Sequence, residues 1–225
     1  MDELATGTQG WPLHVELLVS LIRDRSHGSG PADLTFDDLL GSFPALVRRL
    51  LRHLPDDVQM AVQAAAVVPS FDAASLRLCD PAIKAGSVAR LLRTSLVNRS
   101  EDPFFPYKLH DEVSNAVVAA GSSVPGGWED EDRAHAAELL VAGLESWWQK
   151  AKATGQYAQL VHVHAMSVRL CLLYELDVEW VKEAFKSSPS HQYQRDLLPN
   201  VDRARSHSEF LGLVQVYRAL GVEDR

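Results

Sequence analysis

The chain has two cysteines, Cys79 and Cys171, and three methionines in 225 residues. Each cysteine stands alone in an apolar helical pattern, so the pair reads as reduced, buried thiols of a cytosolic protein rather than as a disulfide framework. No apolar run approaches the roughly 18–20 residues that span a bilayer. The opening stretch MDELATGTQGWP is acidic and lacks the basic, apolar and small-residue order of a signal peptide. A cytoplasmic location is therefore expected. Enzyme signatures are missing too: there is no G-x-x-x-x-G-K-[ST] phosphate loop, no nucleophile elbow and no H-E-x-x-H pair. Nor is there an excess of positive charge. The net charge is −8, which argues against nonspecific affinity for nucleic acid over the whole surface.

That charge is unevenly placed. Residues 1–42 carry two basic and seven acidic side chains, residues 43–120 nine and eight, and residues 121–225 eleven and fifteen. The middle of the chain is the least acidic part without being basic. Hydrophobic content of 46% and charged content of 23% are ordinary for a globular protein, and the length suits one large domain or two small ones.

Residues 87–120 organise the sequence. Leu91, Leu92 and Leu96 recur at roughly helical spacing, Leu96-Val97-Asn98 reads as a short strand, and Ser100 to Pro103 as a polar turn. A second strand is expected from Phe105 to Leu109, followed by another helix to Ala120. Helix, hairpin, helix is the second half of a winged helix, and Leu109-His110-Asp111 closes that hairpin.

Upstream, Pro12 suits the first position of a helix reaching about Arg25, with Leu13, Leu17, Leu18, Leu21 and Ile22 on one face. Thr35 is placed to cap a helix opening on Asp37 and Asp38. ALVRRLLRHL is amphipathic, with Arg48, Arg49 and Arg52 outside. A helix from about Pro55 through Val68 turns Val58, Ala61, Val62 and Ala65 inward. Pro69 ends it, Phe71 plugs the core and Asp72 caps the short helix AASLRLC, with residues 81–86 as a linker. Downstream, GSSVPGG (121–127) reads as a linker, and helices are expected over 129–152, 157–174, 177–186 and 206–220, with a turn at 187–190. Short breaks between such helices suggest a superhelix of tetratricopeptide (TPR-like) type. The expected fold is thus mainly α: a winged helix-turn-helix domain with a small β-hairpin wing, then a TPR-like helical region. The domains would be 1–42, the end of a nucleotide-binding helical module; 43–120, the winged helix; and 121–225, the helical repeats. His162-x-His164 points to two different helix faces and reads as a solvated or interfacial pair, not a metal site. Of Trp147 and Trp148, one is expected in the core and the other at a helix–helix seam.

Several motifs, taken in order, resemble a known family. Gly10-Trp11-Pro12 before the apolar HVELLVSLI resembles the G-x-P motif of the signal-transduction ATPases with numerous domains, the large switch proteins that include bacterial transcription activators and plant and animal death-switch ATPases. LPDDVQMAVQAAAVVPSFDAASLRL is similar to the opening of their winged helix, and VARLLRTSLVNRS with YKLHDEVSNAV to its close. Leu109-His110-Asp111 matches their M-H-D triplet with Leu for Met, and EDRAHAAELL resembles the start of their helical sensor. The resemblance covers about residues 1–150. It implies that Pro12 packs against the adenine of a bound nucleotide and that His110 reaches the β-phosphate of ADP, with Asp111 capping the helix that follows. His110 would serve equally as a residue that satisfies the wing-to-helix turn. The family's Walker segments lie upstream of G-x-P, so ADP or ATP would be held only with an adjacent upstream ATPase module, and the chain alone is not expected to hydrolyse ATP. A protein or small-molecule signal would bind the helical region, and no membrane partner is expected.

The alternative is a winged-helix DNA-binding transcriptional regulator with a helical ligand-binding or oligomerisation domain. Its recognition helix would be about residues 87–95, offering Arg90 and Arg93, with Arg99 and Lys108 in the wing for phosphates. The near-neutral domain, the acidic tail and a helix poor in base-reading side chains count against it.

Overall fold

In the computed structural model, the described residues are 43–186. The expected helices over 12–25, from Thr35 and over 206–220, the 187–190 turn, and Pro12 itself lie outside them. The described residues are mainly helical, with one small antiparallel sheet. They divide into two units, one of residues 43–77, 81–101 and 105–130, the other of 78–80, 102–104 and 131–186.

In the first unit, α1 (Phe43–His53) takes Pro44 into its opening turn, where a missing N–H breaks no helical bond. Leu46, Val47, Leu50 and Leu51 are buried, while Arg48 and Arg52 stay exposed, the stripe that i, i+3, i+4 spacing dictates. Pro55 then precedes α2 (Asp56–Val67), whose first turn holds Asp56 and Asp57 at the positive end of the helix dipole. Val58, Ala61, Val62 and Ala65 are buried as expected, and Ala64, Gln59 and Gln63 are buried as well. This helix is covered on nearly every side, and Gln59 is satisfied by donating its Nε2–H to the Leu54 carbonyl at 2.7 Å. Val68 turns extended ahead of Pro69, whose ring disfavours a helical neighbour.

Phe71 is fully buried. It also bridges to Tyr107 through two backbone hydrogen bonds of 2.7 and 3.0 Å, a pairing the sequence gives no sign of because one residue has no period. Asp72 starts α3 (Ala73–Cys79) as expected. Its Oδ1 accepts the Ser75 N–H at 2.7 Å, and Ser75 Oγ accepts the Asp72 N–H at 3.0 Å, a reciprocal cap. The supposed linker 81–86 is shorter than expected, since α4 runs Ala85–Leu91. That helix also stops four residues short of Ser95. The Thr94 N–H and hydroxyl both take the Leu91 carbonyl, at 2.9 and 2.7 Å, and close the helix there.

Strands β1 (Val97–Arg99) and β2 (Tyr107–Leu109) pair antiparallel with Val97 opposite Leu109, Asn98 opposite Lys108 and Arg99 opposite Tyr107. The second strand begins two residues later than expected, because Pro106 has no N–H to pair and Phe105 is buried. Helix α5 (Asp111–Ala120) follows and packs on α1 and α2. GSSVPGG is a folded corner rather than an open linker. A 3-10 turn (Gly121–Ser123) begins on Gly121 at φ +45°, the Ser122 N–H donates to Glu129 Oε1 at 2.9 Å, and Val124 is buried. A Cβ on Gly127 would lie 1.8 Å from the Gly121 carbonyl oxygen, so only glycine fits.

The second unit contains α6 (Asp130–Ala153), α7 (Tyr157–Leu173) and α8 (Glu179–Lys186). Helix α6 is unbroken, and Ala136, Ala137, Leu140, Val141, Leu144, Trp148 and Ala151 form its buried face. Gly155 at φ +67° separates α6 from α7. Gly143 allows close approach of Leu78, whose Cδ2 would lie 2.8 Å from an added Cβ. No helix among the described residues is long and apolar enough to cross a membrane.

Candidate functional site

His110 sits where β2 hands over to α5, and the backbone fixes it from both sides. Its N–H donates to the Leu96 carbonyl at 3.0 Å, extending the hairpin ladder, and its own carbonyl accepts the Ser114 N–H at 2.9 Å as the first bond of α5. His110, not Asp111, therefore occupies the cap position, and its side chain makes no capping hydrogen bond. Asp111 is instead the first helical residue, with Oδ1 3.9 Å from Lys108 Nζ.

The imidazole is oriented by Asn98. In this arrangement Asn98 Nδ2 lies 2.8 Å from His110 Nδ1. An amide nitrogen can only donate, so Nδ1 accepts and the neutral ring carries its proton on Nε2. Asn98 and Lys108 are opposite in register, and His110 is two residues beyond Lys108 in the continued ladder. Side chains alternate along a strand, so all three share one face of the hairpin. An imidazole N–H donor, a lysine ammonium and the N-terminal end of α5 thus lie in one neighbourhood, tempered by Asp111 and Glu112 in the first turn. Such donors suit an anion. Sequence reasoning singled out His110 and Lys108 but missed Asn98; the only signal was a polar residue in the strand directly across from Lys108.

The four cations named for DNA are differently committed. Arg90 on α4 pairs with Asp57 on α2, and Ser87 Oγ donates to the same carboxylate oxygen at 2.6 Å. The Ser87 hydrogen bond, aided by the Arg90 charge, holds the Asp57 carboxyl below its usual range against partial desolvation. Arg99 lies over the Tyr107 ring, 4.9 Å from its centroid, and Lys108 faces Asp111. Arg93 is exposed.

The two histidines of α7 face different partners, as expected, and of the two expected placements, solvated or interfacial, both take the interfacial one. His164 is fully buried between Trp148 and Trp180, with ring centroids 6.5 and 6.2 Å away, and its Nε2–H donates to the Val181 carbonyl at 3.0 Å. Burial pushes its pKa down to about 4, against the opposing pull of that carbonyl. His162 Nδ1 lies 3.0 Å from Asp102 Oδ2. Trp148 is buried and Trp147 half-buried. Neither cysteine is in a disulfide; Cys79 is buried as expected, whereas Cys171 is only half-buried. Burial, with Asp80 nearby, pushes Cys79 up to about 12, while burial with Asp177 does the same for Cys171. Among the described residues, no group of three His, Cys, Asp or Glu side chains is arranged to hold a metal ion. The sequence has no significant match among family models, curated proteins or solved structures.

Proposed function

We propose that the chain is the regulatory and sensor segment of a switch ATPase of the signal-transduction type. Residues 43–120 act as its winged helix and residues 121–225 as a TPR-like sensor for a partner or ligand. The observation that carries this reading is the Asn98–His110 hydrogen bond, which leaves the ring proton on Nε2 at the end of a hairpin whose same face bears Lys108. An N–H donor held in one tautomer beside an ammonium and a helix N-terminus is the chemistry that grips a phosphate oxygen of ADP. In this role His110 stabilises the closed, ADP-bound state, and a signal on the helical region shifts the equilibrium by binding the open form better. The chain itself binds and positions; ATP hydrolysis belongs to the adjacent module that carries the phosphate loop.

The DNA-binding alternative has less support, because Arg90 spends its charge on Asp57, and Arg99 lies on Tyr107. The test of the proposal is the company the protein keeps. A C-terminally tagged species drawn from its own cells should carry an ATPase module, either in one chain much heavier than 24.9 kDa or as a stable complex. A free 24.9 kDa species with no nucleotide-binding partner refutes it.

A further inference from the structure

The turn between β1 and β2 is held by a side chain sixty positions away in sequence. Asp102 Oδ1 accepts the Phe104 N–H at 2.8 Å, an Asx turn that fixes the carboxylate. Its Oδ2 lies 3.0 Å from His162 Nδ1 on α7, and since a carboxylate can only accept, Nδ1 carries a proton. The Phe104 ring packs against the same imidazole, with centroids 5.0 Å apart and planes inclined by 47°. The side chains of His162 and Asp102 are only 17% and 21% exposed, so water screens the pair less than it screens a surface ion pair. Four residues before Asp102, on the strand that leads into the turn, Asn98 donates to His110. One short stretch of chain therefore ends in two grips: Asp102 in that of His162, and Asn98 on His110.

We infer that His162 is a positioning residue for His110: its hold on Asp102 and Phe104 sets the β1–β2 hairpin, and the hairpin, through Asn98, sets the tautomer and orientation of the His110 ring. A ligand or protein that draws His162 away from Asp102 changes His110 without touching it. This linkage rests on the proposed function only for the importance of His110, and its test uses no nucleotide.

The test compares His162→Asn, which keeps an N–H donor near the Nδ1 position without the ring, with His162→Phe, which keeps the ring on Phe104 without the donor. The full chain, labelled with nitrogen-15 in histidine, reports the His110 tautomer through its ring-nitrogen shifts, assigned by their loss in His110→Ala. The wild type should show one His110 form with the proton on Nε2. His162→Phe should give a tautomer mixture and about tenfold faster hydrogen exchange of the amides of residues 97–109, while His162→Asn should retain the wild-type signature. An unchanged His110 signal in folded His162→Phe overturns the inference, and so does equal disturbance by the two variants, which would reduce His162 to packing.

Discussion

His164 makes the acid stability of the chain predictable. Its imidazole is fully buried against Trp148 and Trp180 and donates to Val181, so taking up a second proton would place a charge where water cannot reach it. Its pKa falls to about 4 in the folded chain, against an ordinary 6.5. The unfolded chain thus binds the proton more readily, and the stability this neutral histidine contributes is complete above pH 6.5 and is lost as pH falls toward 4. Each unit of difference corresponds to about 1.4 kcal/mol. Integrating the linkage gives a loss of about 2 kcal/mol between pH 7 and pH 5, approaching 3 kcal/mol at pH 4. Urea unfolding followed by tryptophan fluorescence reads this locally, because two indoles line the site. The control is His164→Gln, whose side-chain amide can still donate to Val181 but does not titrate. The wild-type stability should fall below the variant's pH profile by these amounts, after the two curves are matched at pH 7.5. Parallel curves from pH 7.5 to pH 4 would refute the buried, neutral assignment.

Further consequences concern the turns, caps and aromatic packing. Gly127→Ala drives a Cβ into the Gly121 carbonyl and should destabilise the chain by about 3 kcal/mol, whereas Gly155→Ala, at φ +67° with open space around it, should cost only about 1 kcal/mol; equal effects in urea denaturation would show that the corner does not close as described. Asp72→Ala removes the side-chain half of the reciprocal cap on α3, the Oδ1 that accepts the Ser75 N–H, and should cost about 1 kcal/mol, while Asp72→Asn should recover most of it. Trp180 Nε1 is buried without a hydrogen-bond partner among the described residues. Trp180→Phe deletes that donor and leaves no acceptor unpaired, so its cost should be only that of the ring packing lost against Trp148 and His164, about 1–2 kcal/mol by thermal melting; a loss of about 4 kcal/mol or more would contradict an indole N–H without a partner.

Local chemistry made much of the first unit legible. The inward set Val58, Ala61, Val62 and Ala65 follows from helical spacing, and the Asp72 cap from an acceptor placed just before a short apolar run. The hairpin follows from the change of period after Leu96 and the proline-bearing turn. What the sequence hid is set by partners far along the chain. Phe71 looked like a core plug and is also a one-residue bridge to Tyr107. Nothing local to Asp102 announces His162, sixty positions on. The two-residue spacing of His162 and His164 leaves a solvated and an interfacial placement both open, and His164 takes the interfacial one because Val161, Val163, Val168 and Leu170 are buried on several sides of α7. The composition of GSSVPGG suggests a linker, but two glycines with positive φ and the Glu129 carboxylate fold it into a corner. At the candidate site the sequence supplied His110, while its orienting partner Asn98 emerged only from the strand register.

The most direct measurement of the central claim is the rate at which ADP leaves the protein assembled with its ATPase module, compared between wild type and His110→Ala. If the His110 Nε2–H grips a phosphate oxygen, losing this charge-assisted hydrogen bond should speed ADP release by at least tenfold, corresponding to about 1.4 kcal/mol or more, and Asn98→Ala should move the rate in the same direction by freeing the tautomer. An ADP release rate unchanged in His110→Ala, in an assembly that still binds nucleotide, would contradict the account and leave His110 as a residue of the hairpin-to-helix turn alone.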